Sequence, residues 1–514
     1  MTLRFKYVLV DTLPQLAWCA VVRAGSNVAT IFHGKSVETA PDFFAEAAWN
    51  GGFTPSALRA ATVVCGTGAT CDNGYFTFHA RTDSHSPLFR LRKPGVTYVS
   101  NSAIFALTAA GEKPSPLHPF YYHNLIGIYR GGFRGVNGHL PTASHGVTVG
   151  VHFYVALRIG SDLVESFEIP ACDEEPQKWS DYRGLLDRGV QDIAANACNE
   201  SRRLPYRMLA QISRGYDSTA SAALAAAVGC RESVTIHDSR ADTPGRDSGE
   251  EISRILGMDC RVIDRWDYMR RNDPVDAEFA FITIGAIPVW SSLENNLAGR
   301  IMVTGTQGDV VWGQHRKPPV SPELERPREA KIVGISELEF RLRAGFIPFA
   351  PATIGMRHSR AIAAISRSPE MQPWSVGGQY DRPIPRRIAE ESQVPRTSFG
   401  MTKIVGGCAH FKRPGDFSPA GLRAYDEFRK SSHSAQPTGR VLATRLLCAG
   451  EQAAWYCLHE GRFRSSIASR FPWQPVVLTR PRHTIPWRFR FLFQWSFESL
   501  AARYNFVNDE GSNT

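Results

Sequence analysis

Met208-Leu-Ala-Gln-Ile-Ser-Arg-Gly-Tyr-Asp-Ser-Thr-Ala-Ser-Ala-Ala-Leu-Ala-Ala-Ala-Val228 packs three kinds of local structure into one run. Met208 to Ile212 is short and mostly apolar, the pattern of a buried strand. Ser213 to Ser218 is small, polar and turn-prone. Thr219 to Val228 is almost all alanine and other apolar residues, so it predicts a helix packed closely on a sheet. A strand, a glycine-bearing turn and a helix aim backbone N–H groups and a helix N-terminus at an anion.

The turn lacks the spacing and the lysine of a Walker loop. It carries a hydroxyl at each end, Ser213 and Ser218, with Gly215 between them and Asp217 one residue before the second hydroxyl. An aspartate beside a phosphate makes sense when a divalent cation lies between them. The loop therefore predicts Mg2+-bound pyrophosphate on Ser213, the Gly215 amide and Ser218, with Asp217 on the metal. A plain strand–turn–helix with capping Asp and Ser is the competing reading.

Ser213-Arg-Gly-Tyr-Asp-Ser218 resembles the S-G-G-x-D-S loop of ATP pyrophosphatases, and the chain more narrowly resembles the asparagine synthetase family. Arg214 departs from the family's first glycine, so its side chain either turns away from the phosphates or contacts them itself. Thr304-Gly-Thr-Gln-Gly-Asp-Val-Val-Trp-Gly313 is similar to the family's S-G-E-G-A-D-E-L-F-G segment. Gly305, Asp309 and Gly313 match. Thr306 and Val310 stand where the family has glutamates. Asp309 is then expected as a second metal ligand opposite Asp217. Arg382 to Gly407 is similar to a family helix followed by proline-arginine, a phenylalanine and a loop lysine. Matching Pro395 and Phe399 puts Lys403 on that lysine, where it would neutralise charge at the α-phosphate.

The resemblance implies an ATP-dependent ligase that activates a carboxylate as acyl-adenylate, with ATP and Mg2+ required and Lys403, Asp217 and Asp309 catalytic. Ser213, Arg214, Gly215, Asp217, Ser218 and Gly305 would form the nucleotide site. Asparagine formation is one such reaction.

Residues 1–170 read as short strands between turn signals, among them Lys6–Val10, Ala17–Val22, Ala61–Cys65, Tyr75–His79, Val96–Ser100 and a long alternating strand Val147–Ala156. Their order resembles the antiparallel glutaminase-like sandwich of the family. The glutaminase chemistry needs an N-terminal cysteine whose free amine is the base. Thr2 follows Met1 here, so this region is expected to be an inactive scaffold, with ammonia or another amine as nitrogen donor. After a polar linker at 171–178, residues 179–514 are expected to form the ATP-pyrophosphatase domain. Its strands alternate with helices, which predicts a doubly wound parallel sheet with a helical C-terminal region.

Ten cysteines occur without a C-x-x-C pair, and no apolar run approaches the ~18 residues that span a bilayer. A cytoplasmic protein with reduced thiols is expected. The net charge of +10 is not concentrated in a basic tail. It suits ATP and carboxylates, and nucleic acid is not expected as a partner. The expected partners are small-molecule carboxylate and amine substrates, with no membrane; a homodimer is compatible with the sequence. Arg214, Thr306 and Val310 keep a second class open, a nucleotide-binding or scaffold homologue without turnover. Pro486–Phe497 alternates basic and aromatic residues and is expected as a packed element with snorkelling arginines.

Overall fold

Alternation of apolar and polar residues over the first 170 positions builds two mostly antiparallel sheets in the computed structural model. The structure describes residues 2–72, 74–80, 82, 85–115, 121–237, 247–281, 288–326, 335–378, 380–401, 414–433 and 487–505. The first sheet has seven strands in the order Arg4–Leu9, Val28–His33, Trp18–Arg23, Val96–Ser100, Leu88–Lys93, Thr148–His152, His139–Pro141. The second has six, in the order Glu165–Glu168, Val155–Gly160, Tyr75–Ala80, Val64–Asp72, Phe43–Trp49, Glu38–Thr39. Only Arg4–Leu9 pairs with its neighbour in parallel. Trp18, Ala20 and Ile31 of one sheet share a core with Phe44, Phe76, Phe78 and Leu157 of the other. The buried indole of Trp18 meets the edge of Phe44 and donates its N–H to Thr67 Oγ1 at 3.0 Å, so the ring is buried without an orphaned donor.

The expected strand Val147–Ala156 is two strands. Thr148–His152 belongs to the first sheet and Val155–Gly160 to the second. Tyr154 turns the chain with φ of 63°. Such a conformation is costly for a bulky residue and persists only where its surroundings hold it. Here the ring is fully buried, and its hydroxyl accepts from Arg326 Nη2 at 3.4 Å. Both flanking segments bury apolar residues, so the alternation runs unbroken across the corner.

The later part contains five parallel strands in the spatial order Asp259–Ile263, Glu232–Ile236, Arg207–Gln211, Arg300–Val303, Phe346–Phe349. The chain thus lays two strands to one side of Arg207–Gln211, then two to the other. The loops after Arg207–Gln211 and Arg300–Val303 leave neighbouring strands at the point where this order reverses. Ligand crevices of parallel sheets lie at that point. Phe346–Phe349 adds one short strand to a C-terminal region expected to be mostly helical. Phe-Ile-Pro-Phe is buried at every position and adds an edge strand, the place where a sheet tolerates Pro348. Trp487–Ala501 is a helix that buries Phe491, Leu492, Phe493 and Phe497, and Phe493 stacks on Phe281 at 5.0 Å. The basic-aromatic tail is therefore a packed helix.

The mostly antiparallel part and the parallel sheet are joined through buried polar contacts. Glu46, on Phe43–Trp49, is fully buried and accepts two hydrogen bonds from Arg341, at 2.7 and 3.1 Å. Thr67 and Asn101 also donate to Glu46. Nearby, Glu339 accepts from Ser102 Oγ at 2.7 Å and from the Tyr504 hydroxyl.

A further buried carboxylate, Asp276, accepts from the Ser418 backbone N–H at 2.9 Å and its hydroxyl at 2.6 Å. Ser418 in turn accepts from the Gly421 N–H at the start of the Pro419–His433 helix. Burial pushes the Asp276 carboxyl up to about 6 against these two hydrogen bonds. A carboxyl raised on folding binds its proton more tightly in the folded chain. It contributes stability below the unfolded value near 4, and that contribution fades as pH rises through about 6. We predict that Asp276→Asn, which keeps an acceptor for Ser418, removes a stability loss on the order of 3 kcal/mol between pH 4 and 7. Urea midpoints of both proteins across that range check it; parallel pH profiles would refute it.

Candidate functional site

Two loops meet at the reversal point. The Tyr216–Ala227 helix begins three residues earlier than expected, after Gly215 in an extended conformation. Thr219 bonds back to the carbonyls of Ser213 and Gly215, at 3.0 and 2.8 Å, which closes the first turn. Asp217 thus lies within the first helical turn, where the helix dipole favours a negative charge. The second loop starts at Thr304 and carries Asp309 into the short Gly308–Val311 helix.

Glycines permit the two loops to touch. A Cβ on Gly305 would lie 2.4 Å from the Ser218 backbone nitrogen. A Cβ on Gly308 would lie 2.5 Å from Asp217 Cβ and Cγ. The turn also puts Gln307, not a glycine, in the left-handed region, with φ of 68°. Gln307 is held there by its side chain: it donates to the Tyr129 hydroxyl at 3.2 Å and accepts from Arg326 at 2.8 Å. Tyr129 belongs to the first part of the chain, so that part braces the Asp309 turn. Trp312 Nε1 donates to the Tyr182 hydroxyl at 2.7 Å and fixes the turn's far end.

Arg382 is the residue that sequence reading passed over. Its guanidinium forms an ion pair with Asp217, and Asp309 also acts on its charge. Burial alone would push this guanidinium down. Asp217 first, and Asp309 after it, outweigh burial and hold it above its ordinary value. The Tyr380 phenol is pushed up to about 12 by burial and then by the charge of Asp217. Arg382 immediately precedes the Pro383–Glu391 helix; that position in an otherwise unremarkable basic run is its only sequence signal.

The remaining site residues divide. Ser213 and Ser218 face each other, with hydroxyls 2.9 Å apart. The Gly215 N–H donates to Ser213 Oγ, and the Ser213 N–H to Ser218 Oγ, both at 3.2 Å. These groups form a small ring that an anion would have to open. Arg214 turns to the other side, where it pairs with Glu251 at 2.8 Å. Thr306 hydrogen-bonds Thr304 within its own turn, and Val310 is buried. Phe399 and Gly400 pack directly on the first loop: Phe399 meets the Tyr216 ring edge-on, and a Cβ on Gly400 would strike that ring at 2.4 Å. Arg386 lies over both Tyr216 and Phe399. Lys403 lies outside the described residues.

Chemically, the site is one carboxylate, Asp217, paired with a buried cation, with a second, Asp309, carried on the loop that touches it, beside hydroxyls and N–H groups at a helix start. Among the described residues, no three His, Cys, Asp or Glu side chains gather as a metal-binding set, and no helix is long and apolar enough to cross a membrane. Neither a protein-family model nor a curated protein matches this chain.

Proposed function

We propose that the chain is an ATP-dependent amide-forming ligase of the asparagine synthetase type. The mostly antiparallel part would be a glutaminase-like sandwich without its own catalysis, and the parallel sheet a doubly wound ATP-pyrophosphatase domain. One observation carries this reading. Asp217, paired with the buried Arg382, lies against Gly308, the residue before Asp309, where the strand order reverses.

The donor set suits magnesium. Mg2+ takes hard oxygen ligands, usually one or two carboxylates together with substrate phosphates. The Arg382 guanidinium stands in as the cation these two acids attract. Asp217 would exchange that partner for the metal when nucleotide enters, and Arg382 would turn to a phosphate oxygen. Bound there, the metal would draw charge from the leaving diphosphate. The chain's own groups do the rest. Ser213, Ser218 and the Gly215 N–H would hold the diphosphate, and the start of the Tyr216–Ala227 helix would face it. A substrate carboxylate would attack the α-phosphorus, forming an acyl-adenylate and releasing pyrophosphate. Lys403 would neutralise charge at that centre. Ammonia or another amine would then displace AMP to give the amide. Thr306 and Val310 replace two acids of the resembling motif, so the acyl and amine substrates are expected to differ from aspartate and glutamine.

ATP–pyrophosphate exchange across a panel of amino and keto acids tests the proposal. One or more acids should raise exchange well above the no-acid background. Arg382 seated on Asp217, and Arg214 turned to Glu251, favour a second reading, an inactive nucleotide-binding or scaffold homologue. Mg-dependent ATP binding without exchange for any acid would select it.

A further inference from the structure

Arg382 does not reach Asp217 alone. It closes a strap, residues 375–378 and 380–382, that leads into the Pro383–Glu391 helix. Asp381 ties the strap to itself. Its carboxylate accepts from the Ser375 hydroxyl and from the Val376 and Gly377 N–H groups, the last two at 3.1 Å. Gly377 and Gly378 take left-handed conformations, with φ of 74° and 80°, and a Cβ on either would meet nothing within 4 Å. They serve the turn rather than any packing. The outer half of the strap thus faces open space, and Val376 is exposed. The inner half lies on the first loop of the candidate site. The Tyr380 ring packs on the Tyr216 ring at 4.8 Å, and the Tyr216 hydroxyl donates to the Tyr380 carbonyl at 3.4 Å. The Arg382 guanidinium stands over the Tyr380 ring at 5.4 Å while it pairs with Asp217.

We propose that this strap is a plug that keeps divalent metal off Asp217 until nucleotide phosphates draw Arg382 away, so that metal does not precede nucleotide. The inference rests on the nucleotide reading and adds an order of binding to it. A guanidinium on Asp217 neutralises the carboxylate and repels a second cation. With the two side chains only 10% and 20% exposed, water screens that repulsion weakly. The Asp381 tie makes the strap a preformed unit, so Tyr380 and Arg382 leave the first loop together. Opening breaks the Asp217 ion pair and the Tyr380–Tyr216 contacts, and phosphate oxygens replace the carboxylate as the partner of Arg382. The state that accepts metal is then the one with the strap withdrawn. Without nucleotide that state is the minor one, and the apparent metal affinity falls by its population.

The test is Mn2+ binding to the full chain without nucleotide, read from the electron paramagnetic resonance signal of the free ion. Mn2+ takes the same oxygen ligands as Mg2+. Arg382→Gln should bind Mn2+ at least about tenfold more tightly than the parent, because the accepting state is no longer rare. Adding Asp217→Asn should return the affinity to that of the parent, which locates the gained site. ATP in the presence of chelator should bind Arg382→Gln about threefold or more weakly, because its phosphates lose the guanidinium. Asp381→Asn keeps the Arg382 charge and loosens the tie. It should tighten Mn2+ binding about threefold, and it carries the test if Arg382→Gln does not fold. Mn2+ affinity unmoved in folded Arg382→Gln would overturn the plug, and affinity unmoved in Asp381→Asn would overturn the part given to the strap. Metal-free ATP binding unmoved by Arg382→Gln would overturn release by phosphate. Absence of pyrophosphate exchange with every acid counts against the ligase reading alone, since the Mn2+ measurement involves neither ATP nor turnover.

Discussion

Asp217→Asn should lower ATP–pyrophosphate exchange by about 10²–10³-fold, the scale on which a single group stabilising transition-state charge is felt. The substitution nearly preserves volume. It removes the charge that would hold the metal and that now fixes Arg382. Asp309→Asn should act in the same direction, because Asp309 is proposed as the second ligand of the same metal. The two effects should not add fully, since both residues serve one centre. The measurement is exchange with the best acid, alongside thermal melting to show that each variant is folded. A folded Asp217→Asn protein that keeps a tenth or more of the parent rate would take Asp217 out of the site.

Arg341→Met should cost about 3–5 kcal/mol of stability, because it leaves the Glu46 carboxylate buried without its partner charge. Both side chains are essentially inaccessible, at 0% and 1% exposure, so water cannot replace the lost partner. With a slope near ~3 kcal/mol/M, the urea midpoint should fall by about 1 M or more. Adding Glu46→Gln to Arg341→Met should recover part of the loss, since removing both charges of a buried pair costs less than removing one. This pair joins the Phe43–Trp49 strand to the Leu338–Ala344 helix. Its loss should therefore loosen the antiparallel part from the parallel sheet. A midpoint within experimental error of the parent would show that the junction rests on its apolar contacts alone.

Much of the fold was legible because backbone pattern is a local property. Met208–Ile212 read as a buried strand from a short apolar run, and a strand is present there within a residue, Arg207–Gln211. Three features were not legible, each for a distinct reason. The corner at Tyr154 is invisible because apolar alternation continues through it, and only two sheets in space separate its arms. Phe346–Phe349 contains a proline, which argues against a strand until its place at the sheet edge is known. Arg382 has no motif of its own, and only its approach to Asp217 from 165 residues away distinguishes it from the chain's other arginines.

By itself, the sequence determined many of the strands and helices, and which turns carry hydroxyls, glycines and acids. Those follow from side-chain periodicity and from the conformations that glycine and alanine allow. Only the tertiary structure decided that the Asp217 and Asp309 loops leave adjacent strands, that Gly305 and Gly308 let them touch, and that Arg382 pairs with Asp217. The physical reason is range. Periodicity acts over a few residues, whereas pairing of charges depends on strand order, which is settled by the burial of the whole sheet.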